Sequence, residues 1–144
     1  MLFRSTAFIV GFPGETEDQF AELLEFLQET RFERVGIFIY SQEDHTPAGA
    51  MPGQVPARVK QRRYRRAMAV QQQISRELNR SRIGQTIRVL VEQAKGQQWI
   101  ARSVADAPEV DGTVRVHGRA RIGEFATVRI TGAGEYDLRG EVVG

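Results

Sequence analysis

A chain of 144 residues accommodates one ordinary domain or two small ones, and its 41% hydrophobic content argues for a packed core rather than disorder. No apolar run approaches the ~20 residues that span a bilayer, and residues 1–6 are too short and too polar for a signal peptide, so a soluble, cytoplasmic and monomeric protein is expected. The absence of cysteine excludes disulfides, cysteine-held zinc, thiolate-ligated iron–sulfur clusters and a cysteine nucleophile within this chain.

The net charge of +2 conceals a partition. Residues 1–53 carry 3 basic against 9 acidic side chains, a balance of −6; residues 54–82 carry 9 against 1, a balance of +8; residues 83–144 carry 8 of each. Charge that changes sign by segment bears on organisation and partners.

The first segment reads as strand, helix, strand. Ala7-Phe8-Ile9-Val10 is a short apolar run of the kind found in strands covered on both faces, and Gly11-Phe12-Pro13-Gly14 ends it in a turn. Thr16 stands three residues before Gln19, a capping-box spacing, and Glu15, Glu17 and Asp18 suit the positive end of a helix dipole. Phe20, Leu23, Leu24 and Leu27 then form one apolar stripe through about Glu29. A second strand, Val35 to Tyr40, completes a right-handed parallel βαβ unit. The loops after both strands, Gly11 to Thr16 and Ser41 to Pro56, therefore fall on one edge, where α/β proteins place ligands. The first is not a phosphate loop, because no Gly-Lys-Ser/Thr follows and Glu15 and Glu17 would repel phosphate. His45, with no other histidine before His117, does not suggest a metal site.

Pro56 to about Arg82 has no interior Pro or Gly and predicts a long helix. Val59, Ala67, Val70, Ile74 and Leu78 lie on one face; Arg58, Lys60, Arg62, Arg63, Arg65 and Arg66 lie on the other. These cations suit either a phosphate-tracking patch or a solvated face whose arginines pair with the acidic first segment, and the near-cancelling charges favour pairing. After residue 82, five short runs rich in Val and Ile (Ile87–Val91, Trp99–Val104, Thr113–His117, Ala126–Thr131 and Leu138–Val143) predict a small five-stranded barrel of the oligonucleotide-binding type. It holds no catalytic constellation and reads as a binding module. Its zero net charge makes a protein partner at least as suitable as RNA.

Val10-Gly11-Phe12-Pro13-Gly14-Glu15-Thr16 resembles the strand-to-helix turn late in radical S-adenosylmethionine barrels. Arg31-Phe32-Glu33-Arg34-Val35-Gly36-Ile37-Phe38-Ile39-Tyr40-Ser41, with Thr46-Pro47-Ala48 and Met51-Pro52-Gly53-Gln54-Val55-Pro56, resembles the methylthiotransferase branch of that superfamily. The last segment resembles a TRAM domain. Within it Arg102, Ala105-Asp106-Ala107-Pro108-Glu109-Val110-Asp111-Gly112, Ile130-Thr131-Gly132-Ala133 and Glu135-Tyr136-Asp137-Leu138-Arg139-Gly140-Glu141 are similar to the RimO type, which modifies a ribosomal protein, rather than to the branch acting on tRNA.

The resemblance implies an enzyme that methylthiolates an aspartate of small-subunit ribosomal protein twelve, using S-adenosylmethionine and two 4Fe-4S clusters. It implies that residues 1–82 are the last part of the radical S-adenosylmethionine barrel and residues 83–144 the TRAM domain. Gly11, Phe12, Pro13, Gly14 and Tyr40, with Ser41 and Thr46 at the same mouth, are the implied S-adenosylmethionine border. Arg102, Asp106, Glu109, Asp111 and Tyr136 are the implied substrate contacts. The cluster cysteines of the family are absent here, so a C-terminal fragment without activity of its own is expected, its remainder lying upstream. An exposed apolar strand edge in the βαβ part and an independently folding barrel after Ile83 are expected with it. A stand-alone RNA-binding protein and a tRNA methylthiotransferase are the competing readings.

Overall fold

The computed structural model describes residues 5–103, 113–134 and 137–143. The chain packs as two compact units, Leu2–Ile74 and Ser75–Gly144.

In the first unit, β1 (Ser5–Val10), α1 (Glu17–Thr30) and β2 (Arg34–Ile39) form the expected βαβ unit. The strands pair in parallel from Ser5 opposite Arg34 to Val10 opposite Ile39. The Thr16 hydroxyl accepts from the Gln19 amide at 3.1 Å and the Gln19 side chain accepts from the Thr16 amide at 3.0 Å, which satisfies two otherwise orphaned donors of the first turn. Arg31 ends α1 in the left-handed conformation at φ 52°, its amide donating to Leu27 O. Of the expected stripe, Phe20 and Leu27 are buried, while Leu23 and Leu24 are half-buried. The Phe8, Phe26 and Phe32 rings meet edge-on, with centroids 5.8 to 6.3 Å apart.

Within this chain one face of the strand pair is open. Ile9 and Phe38, opposite each other in the register, are 60% and 58% exposed. A continuous apolar run records that a strand suits a two-sided environment. It does not supply the layer for the second face, and α1 covers only one.

The loop after β2 is not featureless. A 3-10 turn, Ala48–Ala50, is tied by Thr46 Oγ1, which donates to Glu43 O and accepts from the Gly49 amide, and by Gln54 Nε2, which donates to Ala48 O and Met51 O. Then α2 runs from Ala57 to Ser81. Its buried positions are Arg63, Ala67, Gln71, Ile74, Ser75 and Asn79, so the inward face is rotated from the apolar stripe and carries polar side chains. Arg63, expected on the solvated face, is 5% exposed. The reason is that its partners are the Glu15 and Glu17 carboxylates and the Glu15 carbonyl, as described below.

The second unit is a closed barrel of β3 (Thr86–Lys95), β4 (Gln98–Ser103), β5 (Thr113–His117), β6 (Phe125–Ala133) and β7 (Asp137–Val142), in the order β3-β4-β5-β7-β6 with β6 returning to β3. Every pair is antiparallel except β5 with β7. The five expected strands are all present. Val89, Val91, Ala101, Val114, Val116, Val128, Ile130 and Leu138 fill the interior, the alternation that a one-sided strand requires. Closure leaves no open sheet edge among the paired strands. A bulge between Val91 and Gln93 carries β3 beyond its expected end at Val91 to Lys95, where a two-residue turn with Gly96 at φ +63° starts β4. The end of α2 joins this unit through Asn79 Nδ2, which donates to Gly134 O at 3.0 Å.

Candidate functional site

At the C-terminal ends of β1 and β2, backbone geometry brings two loops together. Tyr40 N donates to Val10 O at 2.9 Å, extending the strand pairing by one residue, and Gly14 N donates to Gly53 O at 2.9 Å, tying the first loop to the second. Gly11 and Gly14 both have positive φ, +81° and +85°. The two glycines serve different ends. A Cβ on Gly11 would overlap the Lys60 stem, whereas one on Gly14 would meet nothing within 4 Å. The close approach at Gly11 is thus made by this chain's own lysine, and the open face of the turn lies at Gly14.

Three side chains define the mouth. Phe12 is 44% exposed and meets the Tyr40 ring edge-on, centroids 5.4 Å apart. The Tyr40 hydroxyl is buried with no hydrogen-bond partner among the described residues. Lys60 Nζ donates to Tyr40 O at 3.1 Å and lies 5.6 Å from the centre of the Tyr40 ring. Pro13 is buried in the turn, while Ser41 and Thr46 are exposed in the second loop and make contacts local to it. The structure therefore gathers Gly11, Phe12, Pro13, Gly14 and Tyr40, all five residues of the implied cofactor border, on one edge. It adds Lys60, which the sequence pattern had placed with the solvated cations.

Arg63 sits behind the mouth. Its Nη1 donates to Glu15 Oε1 at 2.7 Å and to Glu15 O at 3.1 Å, and its Nη2 donates to Glu17 Oε1 at 3.0 Å. Glu15 Oε1 also accepts from the Gly11 amide at 3.1 Å. Burial alone would depress the Arg63 pKa, but the hydrogen bonds it donates to Glu17 and Glu15 outweigh it and raise the value above the ordinary one. Glu17 is held below the usual carboxylate value, chiefly by its hydrogen bond from Arg63 and further by the charges of Arg63 and Arg62. Acidic turn and basic helix are thus paired, as the charge partition suggested.

On the barrel, Arg102 lies on β4 with Nε 2.7 Å from Glu92 Oε1, and Nη2 donates to the same oxygen. Glu92 is the extra residue of the β3 bulge, which turns its carboxylate onto Arg102. Asp106, Glu109, Asp111 and Tyr136 lie outside the described residues. Sequence reasoning did not single out a second feature. The Arg88 guanidinium stands 4.3 Å over the Phe125 ring, beside a shallow cavity lined by Phe125, Thr127, Val142, Arg119 and Arg121. Phe125 is an exposed large hydrophobic there, at 52%. An exposed Phe at a strand start that directly follows a Gly-Glu turn was the signal available in the sequence.

Residues 83–143 match the TRAM domain model, whose span coincides with the closed barrel. Across nearly the whole chain, the similarity is to proteins named ribosomal protein uS12 methylthiotransferase RimO. That of Desulforamulus reducens is 53% identical over 142 residues, 95% of this chain and 32% of the relative. That of Desulforudis audaxviator is 52% identical over 145 residues, 99% and 32%, and that of Heliobacterium modesticaldum 55% over 141 residues, 96% and 30%. This chain carries a TRAM domain and is similar over nearly its whole length to RimO proteins. It spans about a third of the length of the RimO relatives it matches. No helix among the described residues is long and apolar enough to cross a membrane.

Proposed function

We propose that this chain is the C-terminal part of a radical S-adenosylmethionine methylthiotransferase that modifies an aspartate of ribosomal protein uS12, with the strand-end mouth bordering S-adenosylmethionine and the TRAM barrel binding the substrate. The observation that carries the reading is the identity of about half, over nearly all of this chain, to proteins named for that activity. The clusters do not fit this chain: iron–sulfur iron needs thiolates, and the sequence has none, so the chain by itself is inactive in this reading.

S-adenosylmethionine does fit the mouth. A turn open at Gly14, an exposed aromatic edge at Phe12 and an unsatisfied Tyr40 hydroxyl suit a flat, neutral adenine. The nearby Glu15 and Glu17 carboxylates disfavour a polyphosphate. When bound, S-adenosylmethionine supplies the methyl group and the radical that activates the substrate carbon. The residues of this chain orient its adenosyl part. On the barrel, Arg102 contacts substrate from a position fixed by Glu92, and Asp106, Glu109, Asp111 and Tyr136 are the further substrate contacts of this reading.

The deciding experiment supplies the longer enzyme, with clusters and S-adenosylmethionine, with uS12 and separately with tRNA, and follows methylthiolation by mass spectrometry. Modification of a uS12 aspartate alone supports the reading. Modification of tRNA alone sinks the substrate assignment.

One observation favours a second reading for the barrel. Arg88 stacked on Phe125, with Arg119 and Arg121 beside the same cavity, is the cation-and-aromatic pairing that single-stranded nucleic acid uses. Titrating this chain with structured RNA distinguishes the two. Tight binding with a steep salt dependence that is lost in Phe125→Ala supports RNA, and no binding at low salt removes it.

A further inference from the structure

Charge pairing accounts for the basic start of α2 only in part, because two of its cations also bond backbone. Lys60 and Arg63 stand at i and i+3, on one side of the helix. Each reaches a different strand-end loop and each bonds a backbone carbonyl there: Lys60 Nζ to Tyr40 O after β2, Arg63 Nη1 to Glu15 O after β1. Arg62 contrasts with them, being 63% exposed at its side chain and bonded, among the described residues, to the Glu17 carboxylate alone.

We propose that Lys60 and Arg63 are a two-cation staple that presets the strand-end mouth for the adenosyl group, which makes them positioning residues for the cofactor; the inference rests on the reading of the mouth given above. Through Glu15 the guanidinium gathers both ends of the Gly11–Glu15 turn, since Glu15 Oε1 accepts from the Gly11 amide while Glu15 O is bonded directly. The lysine stem lies against Gly11, where its overlap with any Cβ fixes glycine at that position, and its ammonium holds the residue bearing the unsatisfied hydroxyl. Phe12 and Tyr40, the two rings of the mouth, are thus each attached to a clamped loop. A planar fork making three hydrogen bonds defines a turn's shape in a way a single ammonium does not. With its Nη atoms committed in this way, Arg63 acts on a ligand only through the turn.

Two measurements test the staple. In this chain, Arg63→Lys should raise amide hydrogen exchange at Gly11 and Glu15 by about tenfold or more and leave Phe8 and Ile9 in the strand unchanged. In the full-length, cluster-loaded enzyme, equilibrium binding of S-adenosylhomocysteine should weaken about tenfold in Arg63→Lys and severalfold in Lys60→Met, which keeps the stem over Gly11 and loses the ammonium. Leu23→Ala, on α1 and outside the cavity that Arg63 lines, serves as the control for simple loss of stability. It should keep its affinity within about twofold even where its unfolding temperature falls as far as that of Arg63→Lys. If the staple variants bind as wild type does, or weaken only as Leu23→Ala does at equal loss of stability, the staple is wrong and the cofactor reading stands. If the wild-type enzyme binds no S-adenosylhomocysteine at all, the cofactor reading itself falls and the staple falls with it.

Discussion

Arg63 shows how a single side chain can be miscast by pattern. Six cations crowd the first turns of α2, and a period of 3.6 places Arg63 on their side of the helix, yet it is the one that is buried. The opposing balances of −6 and +8 made pairing legible as a class. Which arginine turned inward depended on Glu15, Glu17 and the Phe20 ring, 5.8 Å from the guanidinium, all meeting at one place in space. The exposed end of that cluster carries a pH dependence. The folded-state pKa of Glu17 lies below its ordinary 4.5, so folding favours the ionised carboxylate. Its contribution is present above that value and is lost as pH falls through the folded-state value. Glu17 is 64% exposed at its side chain, so the effect is small. Glu17→Gln should be slightly less stable than wild type at neutral pH, with the two thermal midpoints converging as pH is lowered from about 5 to about 3. A difference that stays constant over that interval would show that the loss lies in packing rather than in charge.

Elements were more legible than residues, because each strand and helix of this chain announces itself by spacing that local sterics impose. The capping box at Thr16 and Gln19 forms as the spacing predicts, and the alternation of Val114 and Val116 or Val128 and Ile130 points the same residues inward that the pattern selects. Bulges were not legible. Glu92 and Thr131 are ordinary polar residues of a strand, and a bulge is fixed by what the partner strand needs. Gly140 shows such a need. It pairs with Val116 on one side and Ile130 on the other, and a Cβ there would overlap Val128 Cγ1 and come within 2.7 Å of Arg129 O. Backbone of β6 cannot yield without opening its ladder to β7. Gly140→Ala should therefore destabilise the barrel by about 1–3 kcal/mol, as overpacking does, where an alanine at an unconstrained strand position would stabilise it. Chemical denaturation of the two proteins checks this, and equal midpoints would mean that β6 shifts at no cost.

At the scale of the whole molecule, the question is where an independent barrel begins. The TRAM match starts at residue 83, whereas the compact unit begins at Ser75, inside α2. The difference has a physical basis in Asn79, which is buried and whose amide donates to Gly134 O between β6 and β7. Cutting at residue 83 removes that donor and leaves the carbonyl to water. It keeps the bonds of the Gly84 amide to Ile130 O and of the Ile130 amide to Gln85 O, which hold the entry to β3. A truncated chain starting at Ser75 should thus unfold cooperatively, and one starting at Ile83 should also fold but be weaker by about 0.5–1.5 kcal/mol, which for a domain of this size is several degrees in midpoint. Asn79→Ala in the longer piece should reproduce most of that loss. If only the longer piece shows a cooperative transition, the end of α2 is an integral part of the barrel. If the two midpoints coincide, the Asn79 bond contributes nothing and the boundary read from the change in periodicity at Ile83 is the physical one.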